Sequence, residues 1–235
     1  MKRKRLAHAD RRESILAAAT RAFAAEGFGG TRTQQIAKAA GVSEALLFRH
    51  FPSKQALYGA VHERLIAIQD ANFEVMTLPA PSTEGLVRML WATLRACVYG
   101  RHSAQAAAAQ RIMLLSLAGD GEHAREFYAR SHRKGVRALA QAIEAARAAG
   151  DLDGESIDPR NAFALIGHIA TMITSAQLTG KSVVPWAPSK DRLLRDAVHF
   201  CGRGIGLSEA ALGRYEPSER SRAARLDEVV LLRLK

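Results

Sequence analysis

The stretch Thr31-Arg32-Thr33-Gln34-Gln35-Ile36-Ala37-Lys38-Ala39-Ala40-Gly41-Val42-Ser43-Glu44-Ala45-Leu46-Leu47-Phe48-Arg49-His50-Phe51 decides the fold. It predicts two short helices meeting at a sharp turn. The first runs over about Arg32 to Ala40 with Thr31 as its cap, and the second runs through His50 with Ser43 as its N-cap. Such a pair needs a small residue at the close approach, a glycine to reverse the chain and apolar residues facing inward. Ala37, Gly41 and the set Ile36, Ala40, Val42, Leu47 and Phe51 supply these. With the inward positions taken, Thr33, Gln34, Glu44, Ala45 and Arg49 lie on or near the outer surface. There a helix-turn-helix inserts its second helix into the major groove and reaches base edges; taken alone, the turn also fits an ordinary helical hairpin with a basic face.

Working outward, a helix from about Asp10 to Glu26 stops at Gly27, within a Gly27-Phe28-Gly29-Gly30 break that can take positive backbone angles. Pro52-Ser53-Lys54 opens a longer helix. After Pro79-Ala80-Pro81-Ser82, helices are expected at about Thr83 to Tyr99, Ser103 to Leu117, Glu122 to Ala149, Pro159 to Thr179 and Ser189 to Arg203. Apolar residues recur at three- and four-residue spacing and no segment alternates with period two, so the chain reads as all-α. The expected division is a basic arm and helix-turn-helix domain at 1–57, a larger helical domain at 58–206, and a segment 207–235 that is either a docked extra helix or a loose tail. In Asp151-Leu152-Asp153-Gly154 the glycine is misplaced for a calcium loop, and a helix stop at Gly150 followed by an Asp158-Pro159 helix start explains the same residues.

The formal charge of +11 matters through its distribution. Met1 to His62 holds eleven Lys and Arg against four acids, leaving +7 in about the first quarter, so a polyanion-binding surface is expected there. Lys2 to Arg5 can reach a groove or phosphates, or serve as a solubilising tail. Ala162 to Leu178, the longest mostly apolar stretch, is interrupted by His168 and Gln177, which suits a buried helix and not a membrane span. A charged start without an apolar continuation argues against export, so the expected location is cytoplasmic. Cys97 and Cys201 lack the CxxC spacing of a zinc or redox site and read as reduced thiols. His62, His102, His123, His132, His168 and His199 show no HxxxH pairing, so neither metal nor cofactor is expected. With no nucleophile elbow, paired-carboxylate motif or nucleotide fingerprint, an enzyme is the least favoured class.

The segment Arg11 to Leu57 resembles the DNA-binding segment of the TetR family of transcriptional regulators. The match runs through Ile36-Ala37, Ala40-Gly41-Val42-Ser43, Phe48-Arg49-His50-Phe51 and Ser53-Lys54 with Leu57 following, at the family's spacing without a gap. The resemblance implies that Thr33 and Gln34, together with Glu44, Ala45 and Leu46, face an operator, while His50 and Lys54 grip phosphates. Lys54 also lies in the first turn of a helix whose free N–H groups and dipole attract phosphate. Leu46 stands where Thr or Ser is frequent and Phe48 where Tyr is usual, and each loses a hydroxyl.

The resemblance further implies a homodimer on palindromic double-stranded DNA, released by a small-molecule effector. The alternative is a helix-turn-helix protein with no effector. For the effector cavity the candidates are Trp91, Arg95, Tyr99, Arg111, Met113, Phe127, His168 and Met172, which combine apolar bulk with sparse polar groups. For a four-helix dimer interface, Ala164, Gly167, Thr171 and Ser175 permit close approach beside Leu165, His168, Ile169, Met172 and Ile173. The next helix offers Leu193, Leu194, Val198, Phe200 and Cys201. Ordinary packing within the chain is the other reading of these residues.

Overall fold

The computed structural model describes residues 8–75, 79–100, 103–155, 157–180, 182–186 and 188–218. The basic arm Lys2 to Arg5 and the part of the C-terminal segment from residue 219 onward lie outside the described residues. Ten helices occur among the described residues: α1 (His8–Gly30), α2 (Thr33–Ala40), α3 (Glu44–His50), α4 (Lys54–Val75), α5 (Thr83–Tyr99), α6 (Ala104–Ala118), α7 (Glu122–Ala148), α8 (Pro159–Ser175), α9 (Lys190–Ile205) and α10 (Glu209–Arg214). The all-α expectation holds, since β pairing among the described residues is confined to an isolated bridge between Leu152 and Leu207. No described helix is long and apolar enough to cross a membrane.

The chain forms two compact units. The first comprises 8–71 and 103–127 of the described residues, and the second 72–100 and 128–218. Helix packing thus carries the first unit past the expected limit at residue 57 and adds α6 and the start of α7. Its core draws on Ile15, Leu16 and Phe23 of α1, Ile36 and Ala37 of α2, Leu47 and Phe51 at α3, Leu57, Val61 and Leu65 of α4, and Ala108 and Ile112 of α6. These α4 positions recur every four residues and present one apolar stripe inward. Ser116 Oγ accepts from the Ala124 backbone N–H at 3.1 Å, joining the end of α6 to the first turn of α7.

Two expectations in this unit need correction. Gly27 does not end α1; it takes φ 66°, ψ 178°, and helix resumes to Gly30, so the glycine makes a kink. Thr31 does not cap α2. It is buried, and its hydroxyl donates to the carbonyls of Gly27 at 2.7 Å and Ala22 at 3.2 Å, tying the residue back onto α1. Arg32 takes the N-cap position in extended conformation, where its backbone N–H donates to Gln35 Oε1 at 3.1 Å.

The second unit packs α5 with α8 and α9 around Leu86, Leu90, Trp91, Leu94, Ala162, Ile173, Leu194 and Val198, with Leu139 and Ile143 of α7. Gln177 Nε2 donates to the Cys97 carbonyl at 3.1 Å, pinning the residues after α8 to α5. Gly150 ends the α7 region with φ 73°. Beyond it the buried Asp151 accepts from Arg214 at 2.9 Å, and Asp153 N–H donates to the Gly206 carbonyl at 2.7 Å. These bonds hold α10 in place, with Leu207, Ala211 and Leu212 buried, so the start of the C-terminal segment is docked. Leu194, Val198, Cys201 and Ile173 belong to this core, so they pack within the chain and offer nothing to a partner. Burial raises the Cys201 thiol to about 11, keeping it protonated at neutral pH.

Candidate nucleic-acid interface

The turn between α2 and α3 is built as the sequence requires. Gly41 adopts the left-handed conformation (φ 68°, ψ 32°), and the N–H groups of Gly41 and Val42 return to the carbonyls of Lys38 at 3.1 Å and Ala37 at 3.0 Å. Ser43 Oγ caps α3 by accepting from Leu46 N–H at 3.2 Å, and Ser53 Oγ caps α4 by accepting from Ala56 N–H at 3.0 Å. Ile36, Ala37, Leu47 and Phe51 are all buried, so both short helices are fixed through one face each.

That burial turns the opposite faces outward. Gln34, Ala45, Phe48 and Arg49 are exposed, and Thr33, Glu44, Leu46, His50 and Lys54 are half-buried. Phe48 is 41% exposed, unusual for a large aromatic ring with a core beside it. Thr33 Oγ1 donates to Glu44 Oε1 at 2.6 Å, locking the first turn of α2 to the first turn of α3. The two polar candidates at the helix starts therefore form one element. Lys54 Nζ lies 4.6 Å from the centroid of the Phe28 ring, which orients the ammonium at the start of α4.

His50 has surroundings that sequence spacing does not show. Its ring centroid is 4.4 Å from that of His8. Partial burial, followed by the charges of His8, Arg11, Arg12 and Arg49, holds the His50 imidazole below its ordinary pKa. The cations of α1 were visible in the sequence, but their approach to the end of α3 comes from a contact some forty residues apart in the chain.

A second cluster in the same unit also escaped sequence reasoning. Tyr58 and His62, one turn apart on α4, have ring centroids 4.1 Å apart; His62 and His123 are at 4.7 Å, and His123 and Phe127 at 6.4 Å. His62 Nε2 and His123 Nδ1 are buried without a hydrogen-bond partner. Burial, and then the neighbouring His62, lower His123 to about 4, against the opposing pull of Glu126 and Asp120. Burial lowers His62 also, opposed by Asp120, Glu122 and Glu126. Both imidazoles are neutral at pH 7.

The effector candidates divide between the units. Arg111, exposed, Met113, buried, and Phe127, half-buried, lie in the first. Trp91, Arg95, Tyr99, His168 and Met172 lie in the second. Trp91 is core. Arg95 Cζ is 5.4 Å from the Tyr99 ring centroid, and Tyr99 donates its hydroxyl to Asp191 at 2.7 Å, so these two form a polar group at the end of α5. His168 and Met172 are exposed with Leu165 on one face of α8, and Phe200 of α9 is 70% exposed.

Comparison with known proteins places this geometry in context. Residues 15–61 match the family model for bacterial regulatory proteins, tetR family, and residues 88–203 match that for the AefR-like transcriptional repressor C-terminal domain. The Escherichia coli (strain K12) HTH-type transcriptional regulator RutR is 48% identical over 58 residues, which is 25% of this chain and 27% of RutR. The Mycolicibacterium smegmatis HTH-type regulator EthR is 29% identical over 143 residues, 60% of this chain and 63% of EthR. The match therefore spans about a quarter of RutR and less than two thirds of EthR. The structure of Salmonella enterica GusR superimposes with a TM-score of 0.54 at 20% identity, covering 86% of this chain and 99% of GusR. That of AibR in complex with isovaleryl coenzyme A and operator DNA gives 0.54 at 22%, covering 84% and 100%. At these identities the two structures speak for the fold.

Proposed function

This chain belongs to the TetR family of bacterial regulatory proteins, and from that premise we propose that it is a homodimeric transcriptional regulator, a repressor released from a palindromic operator by a small-molecule effector. The observation that carries the reading is the α2–Gly41–α3 unit, its inner face buried and its outer face exposed beside Arg49, His50 and Lys54. In this reading Thr33, Gln34, Glu44, Ala45 and Leu46 meet base edges, and Phe48, Arg49, His50 and Lys54 lie along the backbone. The Thr33–Glu44 bond sets the donor and acceptor pattern offered to the groove, because the carboxylate that accepts from Thr33 retains lone pairs for a cytosine amino group.

Dimerisation is supported by Leu165, Met172 and Phe200, large apolar side chains left exposed on α8 and α9 after Leu194, Val198 and Ile173 are used within the chain. A two-fold axis at this face makes the patch self-complementary and duplicates the recognition helix. For the effector, the Arg95–Tyr99 group offers a polar anchor. Arg95 Nε is buried without a hydrogen-bond partner, and such an atom favours a ligand carrying an acceptor. A ligand releases DNA only by binding the DNA-incompetent state better, and a tenfold loss of affinity takes about 1.4 kcal/mol of such preference.

Selection of binding sites from a random duplex pool with purified protein tests the reading. A near-palindromic consensus protected on both halves is the expected result, and a single half-site bound by a monomer refutes it. The burial of Trp91, the bulkiest effector candidate, in the core of the second unit favours a second reading, a regulator without a small-molecule effector. Screening for compounds that both raise the melting temperature and release the selected duplex separates the two.

A further inference from the structure

Helix α1 is anchored by Ile15, Leu16, Ala18 and Ala19, all buried, and Ser14 Oγ donates to the Ala40 carbonyl at the end of α2 at 3.3 Å. These contacts fix where the first two turns of α1 stand within the unit. At about 100° per residue, His8, Arg11 and Arg12 fall on one side of the helix and Asp10 on the opposite side. Glu13, the other nearby acid, is bonded to Arg64 of α4. Arg12 lies over the buried Phe51 ring, 5.2 Å from guanidinium carbon to centroid, and the His8 ring lies against His50. Among the described residues no ion pair joins Arg12, Arg49 or His50 to a carboxylate.

We propose that the first two turns of α1 and the end of α3 form a single phosphate clamp, composed of His8, Arg11, Arg12, Arg49 and His50, that takes up a proton as it closes on the DNA backbone. The proposal rests on the DNA-binding reading above and extends that interface to a helix outside the helix-turn-helix. Like charges brought together at the start of α1 and the end of α3 repel one another, and an anion placed among them reverses that repulsion. In the free protein partial burial, then the charges of His8, Arg11 and Arg12 of α1 and Arg49 of α3, hold the His50 imidazole below its ordinary pKa, so it is largely neutral near pH 7. A phosphate in the clamp favours the imidazolium, so the proton is drawn from solvent on binding. Proton uptake on binding means that affinity rises as pH falls, by up to tenfold per pH unit for one proton per subunit.

The test titrates the full-length protein against a fluorescent duplex carrying its selected site and against a scrambled duplex, at about pH 6, 7 and 8, where histidine changes charge, and at several salt concentrations. The same is done for His50→Gln, His8→Gln, Arg11→Gln and Arg12→Gln, with folding followed by circular dichroism. Wild-type affinity is expected to tighten severalfold, on the order of 3–10-fold, between pH 8 and pH 6 on both duplexes, because phosphates carry no base identity. His50→Gln removes most of that dependence. Each arginine substitution lowers the slope of log affinity against log salt by about one unit per subunit. His8→Gln weakens binding on both duplexes, since it removes a side chain from the α1 side of the clamp. Tight binding at pH 8 with no change down to pH 6, or unchanged salt slopes in both arginine variants, overturns the inference and leaves the DNA-binding reading standing. No duplex binding by the folded protein at any pH overturns both.

Discussion

His123 offers a test of the structure that does not involve DNA. Its side chain is 3% exposed, packed between the His62 and Phe127 rings with Nδ1 unpartnered, and its pKa is lowered to about 4. In the unfolded chain the same imidazole titrates near pH 6.5. Above pH 6.5 the group is neutral in both states and leaves stability unaffected by pH. Between about 6.5 and about 4 only the unfolded chain is protonated, so stability falls as pH drops; below about 4 both states carry the proton and the loss is complete. Each pH unit inside the window costs about 1.4 kcal/mol, so moving from pH 7 to pH 5 removes about 2 kcal/mol through this residue. The substitution His123→Phe keeps a ring in the stack and abolishes the titration. Urea unfolding at pH 7 and pH 5 is the assay. Wild type is expected to lose about 2 kcal/mol more than the variant on acidification, whatever offset the substitution produces at pH 7. Equal losses refute the burial of a neutral imidazole at this position.

Four further outcomes follow from other contacts. Thr33→Val removes the hydroxyl bonded to Glu44, and a cost of about 1–2 kcal/mol in melting experiments is expected, with altered base preference in site selection. Phe48→Tyr adds an oxygen at an exposed ring edge, so stability stays unchanged while affinity gains at most about tenfold to a hundredfold, equally on specific and scrambled duplexes; unfolding, or sharpened base preference, contradicts the placement of α3. Phe200→Glu combined with Met172→Glu is expected to give a folded monomer by sedimentation with much weakened duplex binding, and a persisting dimer rules this face out as the interface. Gly202→Ala places a Cβ 2.6 Å from Leu212 Cδ2 in the core of the second unit, so a loss of about 1–3 kcal/mol in denaturant melts is expected from overpacking.

Local chemistry made the helix-turn-helix legible. Gly41 is needed for a left-handed turn, Ser43 and Ser53 are caps by type and place, and Ile36, Ala37, Leu47 and Phe51 recur at inward spacing, so each conclusion needed only a few neighbouring residues. The same local rules misjudged Thr31, a good cap by type, because its hydroxyl is claimed by carbonyls four and nine residues back. They misjudged Gly27 as well, since a glycine at positive φ can kink a helix as readily as end it.

The sequence by itself determined the all-α class, the turn, the outward set on α2 and α3 and the concentration of positive charge near the N-terminus, because periodicity, capping and charge are properties of short windows. Tertiary structure alone decided which cations surround His50, which imidazoles stack in the dark of the first unit, and which residues of α8 and α9 are spent in the core. A helical pattern shows that one face is apolar. It does not show whether that face meets its own chain or is left open, as Leu194 and Phe200 on the same helix demonstrate. His8 with His50 and His62 with His123 are separated by tens of residues, so their proximity follows from how α1, α3, α4 and α7 pack, and only that packing fixes the field in which each imidazole holds or releases its proton.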